Sequence, residues 1–85
     1  MPEAKQIDIT RTTVLDTIYR LLRQRGATDV VVRDDCRLNA DLGMDSLELA
    51  ELSAVLEDEL GDEPFSAGIV PETVAELLAY YGAAS

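Results

Sequence analysis

Asp45-Ser46-Leu47-Glu48-Leu49-Ala50-Glu51-Leu52-Ser53-Ala54-Val55-Leu56-Glu57-Asp58-Glu59-Leu60-Gly61 is the stretch that decides the fold. At about 100° per residue, Leu49, Leu52, Ser53, Leu56 and Leu60 fall in one arc, the apolar stripe of an amphipathic helix. The spacing predicts a helix over 46–60. Asp45 or Ser46 can cap its start, Glu48 puts an anion in the first turn where the helix dipole favours it, and Gly61 ends it. Leu47, Ala50 and Ala54 lie on a second arc, bordered by Glu51, Glu57 and Asp58. Isolated exposed apolar residues are ordinary on any surface. Here one large and two small ones are fringed with carboxylates, the apolar centre and polar rim of a protein-docking face.

Upstream, Val14, Leu15, Ile18, Leu21 and Leu22 recur at three- and four-residue spacing and predict a first helix over about 12–25. Thr10, Thr12 and Thr13 compete as its cap. Arg20, Arg23 and Arg25 sit near its end, where cations suit the dipole, and Gly26 stops it. Residues 1–9 read as a loosely ordered lead-in. Residues 27–44 form a long connector pinned to the core by Val30 or Val32, Leu38 and Leu42. Val30–Val32 admits a three-residue strand, but no second strand-like segment exists to pair with it. Long ordered loops in small domains are often functional.

Downstream, residues 61–70 leave room for one helical turn around 66–69. A last helix is expected from Pro71 or Glu72 to Tyr81, with Val74, Leu77, Leu78 and Tyr81 apolar and Gly82 as its stop. The fold class is therefore all-α: a single domain over 1–85, a small antiparallel bundle of three to four helices with a long first loop and a short or irregular third helix.

Charge is divided along the chain. The net charge is −10, yet all seven basic residues precede Leu38, and from there onward stand eleven carboxylates with no Lys, Arg or His. Such a surface repels nucleic acid and anionic lipid and attracts basic partners. Cys36 is the one cysteine and there is no histidine, so a disulfide within the chain is excluded and zinc is disfavoured. Asp34 and Asp35 oppose a reactive thiolate at Cys36, which reads as an incidental thiol. No signal-like or membrane-spanning apolar run is present, and the expectation is a cytoplasmic monomer.

Ser46 admits several readings. As an N-cap it needs no function. As a hydrolase nucleophile it lacks the histidine base. A calcium loop with Gly43 at the sixth position would begin at Leu38 and have Ala40 third, so the pattern fails. A serine modified by another enzyme fits best. A helix N-terminus tolerates an attached phosphate, Gly43 keeps the approach open, and Asp45 and Glu48 offer charge to a basic enzyme.

Asp41-Leu42-Gly43-Met44-Asp45-Ser46-Leu47, followed by the acidic helix, resembles the attachment segment of the acyl carrier proteins, whose L-G-x-D-S-L core leads into an acidic second helix. The resemblance covers about residues 10–82. It implies that Ser46 receives 4′-phosphopantetheine from coenzyme A through a separate magnesium-dependent phosphopantetheinyl transferase, and that the arm's thiol carries acyl groups as thioesters. The chain is then no enzyme, since chemistry belongs to the arm and the partners.

By the same resemblance Asp45 and Leu47 flank the attachment site, and Glu48, Glu51, Glu57 and Asp58 face Arg and Lys of loading, condensing or modifying enzymes. Ala50 and Ala54, with Leu47, are the apolar positions among those acids. Glu48 and Glu51 are expected to be exposed. Two departures stand out: residues 61–70 are short for the family's third helix, and Cys36 is not part of its pattern. Asp-Ser-Leu favours acyl over peptidyl carriers, and the short third region favours polyketide or other natural-product assembly, such as antibiotic biosynthesis, over fatty-acid synthesis. The rival from another class is an acidic helical adaptor that is never modified.

Overall fold

The apolar stripes fold into a bundle whose core is supplied by every helix and by the first loop. The structure, a computed structural model, describes residues 2–82, and side chains from residue 9 onward. The described residues hold three α-helices, α1 (Pro2–Gln24), α2 (Ser46–Leu60) and α3 (Val74–Tyr80), and a 3-10 turn at Phe65–Ala67. There is no strand among them. Val30–Val32 is irregular, and extended backbone meets only in an isolated antiparallel bridge between Arg37 and Thr73.

Helix α2 spans the residues expected of it. Asp45 is the cap: its backbone is extended and its side chain accepts the Glu48 N–H at 2.9 Å. Gly61, at φ 80°, takes the left-handed conformation that ends the helix, and its N–H returns to the Glu57 carbonyl at 2.8 Å. Leu52 and Leu56 are fully buried, while Leu49, Ser53 and Leu60 are half-buried at the edges of the stripe.

Helix α1 differs at its start. It begins at Pro2 rather than near Thr12, so residues 2–9 are helical and none of Thr10, Thr12 and Thr13 is a cap. Proline suits the first helical position, and no Gly or Pro follows until Gly26. A buried threonine, Thr17, joins the core face by donating its hydroxyl to the Thr13 carbonyl at 2.8 Å. Val14, Ile18, Leu21 and Leu22 are buried as the spacing requires, and Leu15 is half-buried.

Helix α3 is shorter than expected. Thr73 caps it, accepting the Glu76 N–H at 3.1 Å, so Pro71 lies before the helix, buried, and not in its first turn. Its opening amides are met from far away in sequence: Val74 N–H donates to Cys36 O at 2.9 Å and Ala75 N–H to Asp34 O at 2.8 Å. In return Leu38 N–H donates to Glu72 O at 3.0 Å. The single turn expected around 66–69 is the 3-10 turn one residue earlier.

The core is Val14, Ile18, Leu21 and Leu22 from α1, Leu38, Leu42 and Met44 from the first loop, Leu52 and Leu56 from α2, and Val74, Leu77 and Leu78 from α3. Val30 and Val32 pack at its edge. The radius of gyration, 12.2 Å, matches the roughly 12 Å of a packed domain of this length. No helix among the described residues is long and apolar enough to cross a membrane.

Candidate functional site

The first loop delivers Ser46 to the surface by sinking the residues before it. Leu42 and Met44 are buried with 3% and 1% exposure, and Gly43 and Asp45, which alternate with them, face outward. Wound turns fix this stretch: Leu42 N–H donates to Arg37 O, Gly43 N–H to Asn39 O and Met44 N–H to Leu38 O, all at 2.9–3.0 Å. Gly43 sits at φ +67°, a conformation that costs other residues about 1 kcal/mol. With Leu42 and Met44 anchored below, Asp45 and Ser46 emerge exposed at the head of α2.

Three nitrogens of Arg25 close over this junction. Nη1 donates to the Gly43 carbonyl at 2.9 Å, Nη2 to the Leu42 carbonyl, and Nε lies 3.2 Å from Glu48 Oε2. The sequence reading gave Arg25 to the dipole of the first helix. Instead it lies just past Gln24 and reaches across to the loop and to α2. Glu48 is corrected with it: its side chain is only 13% exposed and is engaged by Arg25.

The other proposed positions present themselves to solvent. Leu47 is 69% exposed, and Ala50, Glu51, Ala54, Glu57 and Asp58 are all exposed on α2. The second arc read from the sequence is thus a continuous outer face, with Leu47 as its one large apolar residue. Beside it a groove of about 390 Å³ runs along Ser46, Leu49, Ala50, Ser53 and Phe65.

Glu63 braces two residues that line that groove, Ser53 and Phe65, and sequence reasoning missed it. Its carboxylate is 2% exposed and accepts from the Ser53 hydroxyl at 2.6 Å and from the Phe65 and Ser66 N–H groups at 2.9 Å each. Hydrogen bonds from Ser53 and Ser66 hold its pKa below the usual carboxylate value, against the opposing effect of burial. Glu63 therefore ties the 3-10 turn, and with it Phe65, to α2. The half-polar stripe residue Ser53 was the available signal, since a serine turned toward a core needs a partner. Nearby, Tyr81 donates its hydroxyl to Asp62 O at 2.7 Å, and burial with the neighbouring Glu63 charge pushes the phenol's pKa above its ordinary value.

Cys36 is half-buried, with its sulfur 3.4 Å from the Arg33 nitrogen and 3.9 Å from the Val31 carbonyl. No group of three or more His, Cys, Asp or Glu among the described residues is placed to hold a metal.

A small helical domain that lifts an exposed serine onto the head of an acidic helix is the class that fold and site define. No family model matches the chain, and no solved structure does. It is similar to an acyl carrier protein of Saccharopolyspora erythraea, with 40% identity over 52 residues, which are 60% of this chain and 55% of that relative. The match thus spans about half the length of that relative.

Proposed function

We propose that this chain is an acyl carrier protein, with Ser46 as the attachment point of a covalent 4′-phosphopantetheine arm. The observation that carries the reading is the exposed Ser46 at the capped start of a carboxylate-faced α2, above the buried anchors Leu42 and Met44. The likeness to a protein named acyl carrier protein supports it.

In this reading the chain is a substrate for its modifying enzyme rather than a catalyst. Ser46 Oγ forms a bond to the coenzyme A phosphorus that bears pantetheine. The pyrophosphate P–O bond breaks, 3′,5′-adenosine bisphosphate leaves, and the hydroxyl proton passes to a base on a magnesium-dependent phosphopantetheinyl transferase. Once attached, the arm supplies a thiol that holds acyl groups as thioesters. Asp45 holds the backbone of α2 in place beside the hydroxyl, and Leu47 gives partners an apolar grip next to it. Ala50 and Ala54 continue that grip, and Glu51, Glu57 and Asp58 meet basic residues of loading, condensing or modifying enzymes. Charged rims of this kind speed encounter and leave the complex short-lived, as a shuttle requires. The groove bordered by Leu49, Ala50, Ser53 and Phe65 is where the arm lies against the protein. The carrier works as a cytoplasmic monomer, and the reduction of its third element to a 3-10 turn favours a dedicated natural-product pathway such as polyketide assembly.

The test is intact mass after incubation with coenzyme A, magnesium and a broad-specificity phosphopantetheinyl transferase. Wild type gains one phosphopantetheine and Ser46→Ala gains none. A wild type that stays unmodified would leave the acidic adaptor as the better reading.

A further inference from the structure

We propose that Arg25 is the positioning residue for Ser46, a clamp that sets the hydroxyl's presentation to the modifying enzyme. The inference rests on the carrier reading for what Ser46 does, and on geometry for how it is held.

The guanidinium spends all three nitrogens within one junction: two on the consecutive carbonyls of Leu42 and Gly43, and one on Glu48 in the first turn of α2. Ser46 lies between the loop and helix positions so joined. A fourth tie is to the end of α1, because Arg25 follows Gln24 directly and its backbone N–H donates to Leu22 O at 3.2 Å. Arginine alone among side chains offers a planar fork of donors for two adjacent carbonyls plus a further N–H for a carboxylate. Gly43 is matched to it, since a Cβ there would stand 3.3 Å from Arg25 Nη1. Exposed Arg20 and Arg23 on the same helix end provide an internal comparison.

A clamp and a mere surface charge predict opposite kinetics. Removing the cation makes the carrier more negative and frees Glu48, which on charge alone strengthens docking to a basic enzyme. Loosening the hydroxyl instead slows attack, and misplacement of a reacting group by about 1 Å can cost up to 100-fold.

Steady-state modification of wild type, Arg25→Gln and Arg25→Lys by the transferase separates the two. Both variants are expected to lose about tenfold in kcat, with KM for the carrier unchanged or lower. Lysine is expected not to rescue, because it keeps the charge and loses the fork. In unmodified wild type, the Arg25 Nε–H is expected to exchange with solvent at least tenfold more slowly than those of Arg20 and Arg23, measured by NMR, which needs no variant to fold. Wild-type kcat in Arg25→Gln or Arg25→Lys, or an Arg25 Nε–H exchanging as fast as its neighbours', overturns the clamp. If wild type itself accepts no arm, the carrier reading falls, and the exchange measurement still decides whether Arg25 holds the junction.

Discussion

Glu63 shows how one side chain sets both stability and shape. Its carboxylate is the common acceptor for Ser53, Phe65 and Ser66, and those donors hold its pKa down in the folded protein. The depressed value fixes the sign of the pH effect: the stabilisation is complete above the unfolded carboxylate pKa, near 4.3, and is lost as pH falls through the lower folded value. Urea unfolding should therefore show Glu63→Gln less stable than wild type at pH 7, by about 1–3 kcal/mol for hydrogen bonds to a charged group. The gap should narrow as pH drops below about 4. A gap that stays constant from pH 7 to pH 3 would refute the assignment of charge to Glu63. At position 63 itself the sequence showed only an acidic residue in a connector, and the one hint lay elsewhere, in Ser53. The carboxylate becomes structural only because the 3-10 turn brings two N–H groups to the place where Ser53 already points.

At the level of the element, α2 was legible because its signals were local and consistent: Asp45 or Ser46 as a cap, a choice the structure makes for Asp45, a five-member stripe and a terminal glycine. The same face assignment makes opposite predictions for neighbours in sequence. Leu52→Ala and Leu56→Ala should each cost about 2–5 kcal/mol, the range for fully buried leucines. Glu51→Lys should change thermal stability by less than about 0.5 kcal/mol while slowing partner enzymes, because Glu51 is exposed.

Glu48, three residues earlier, does not belong with Glu51. Reversing it to lysine sets a cation against Arg25, and a thermal melt should show clear destabilisation of the Glu48→Lys protein. An unchanged melt would mean that the pair seen here is not maintained. Nothing in the letters distinguished these glutamates, because the partner of Glu48 lies twenty-three residues away at the end of α1. The starts of α1 and α3 were misjudged, because threonines before a helix and a proline near one are permissive signals, and at α3 the backbone acceptors of Asp34 and Cys36 chose among the options.

For the whole molecule, the dominant long-range property is the net charge of −10, with eleven carboxylates after Arg37 facing no cation of their own segment. Self-repulsion of this kind is relieved by screening. Added sodium chloride, from 20 to 500 mM, should raise the melting temperature and at the same time lower the association rate with a basic transferase. If salt lowered both, attraction within the fold would outweigh repulsion and the charge argument would fail. The architecture of a helical bundle around one core was readable from three apolar stripes. Leu38 and Leu42 of the connector were readable as pins to the core, and what was not readable was Met44, which joins them there although its neighbours Gly43 and Asp45 both suggest surface.

That connector has one more consequence, in the order in which the molecule can be put together. A seven-residue helix such as α3 has little tendency to form unaided, and two of its opening amides find their acceptors in the carbonyls of Asp34 and Cys36. Its beginning is thus specified some forty residues before it. During synthesis the acceptors that α3 uses are therefore made well before the helix that needs them.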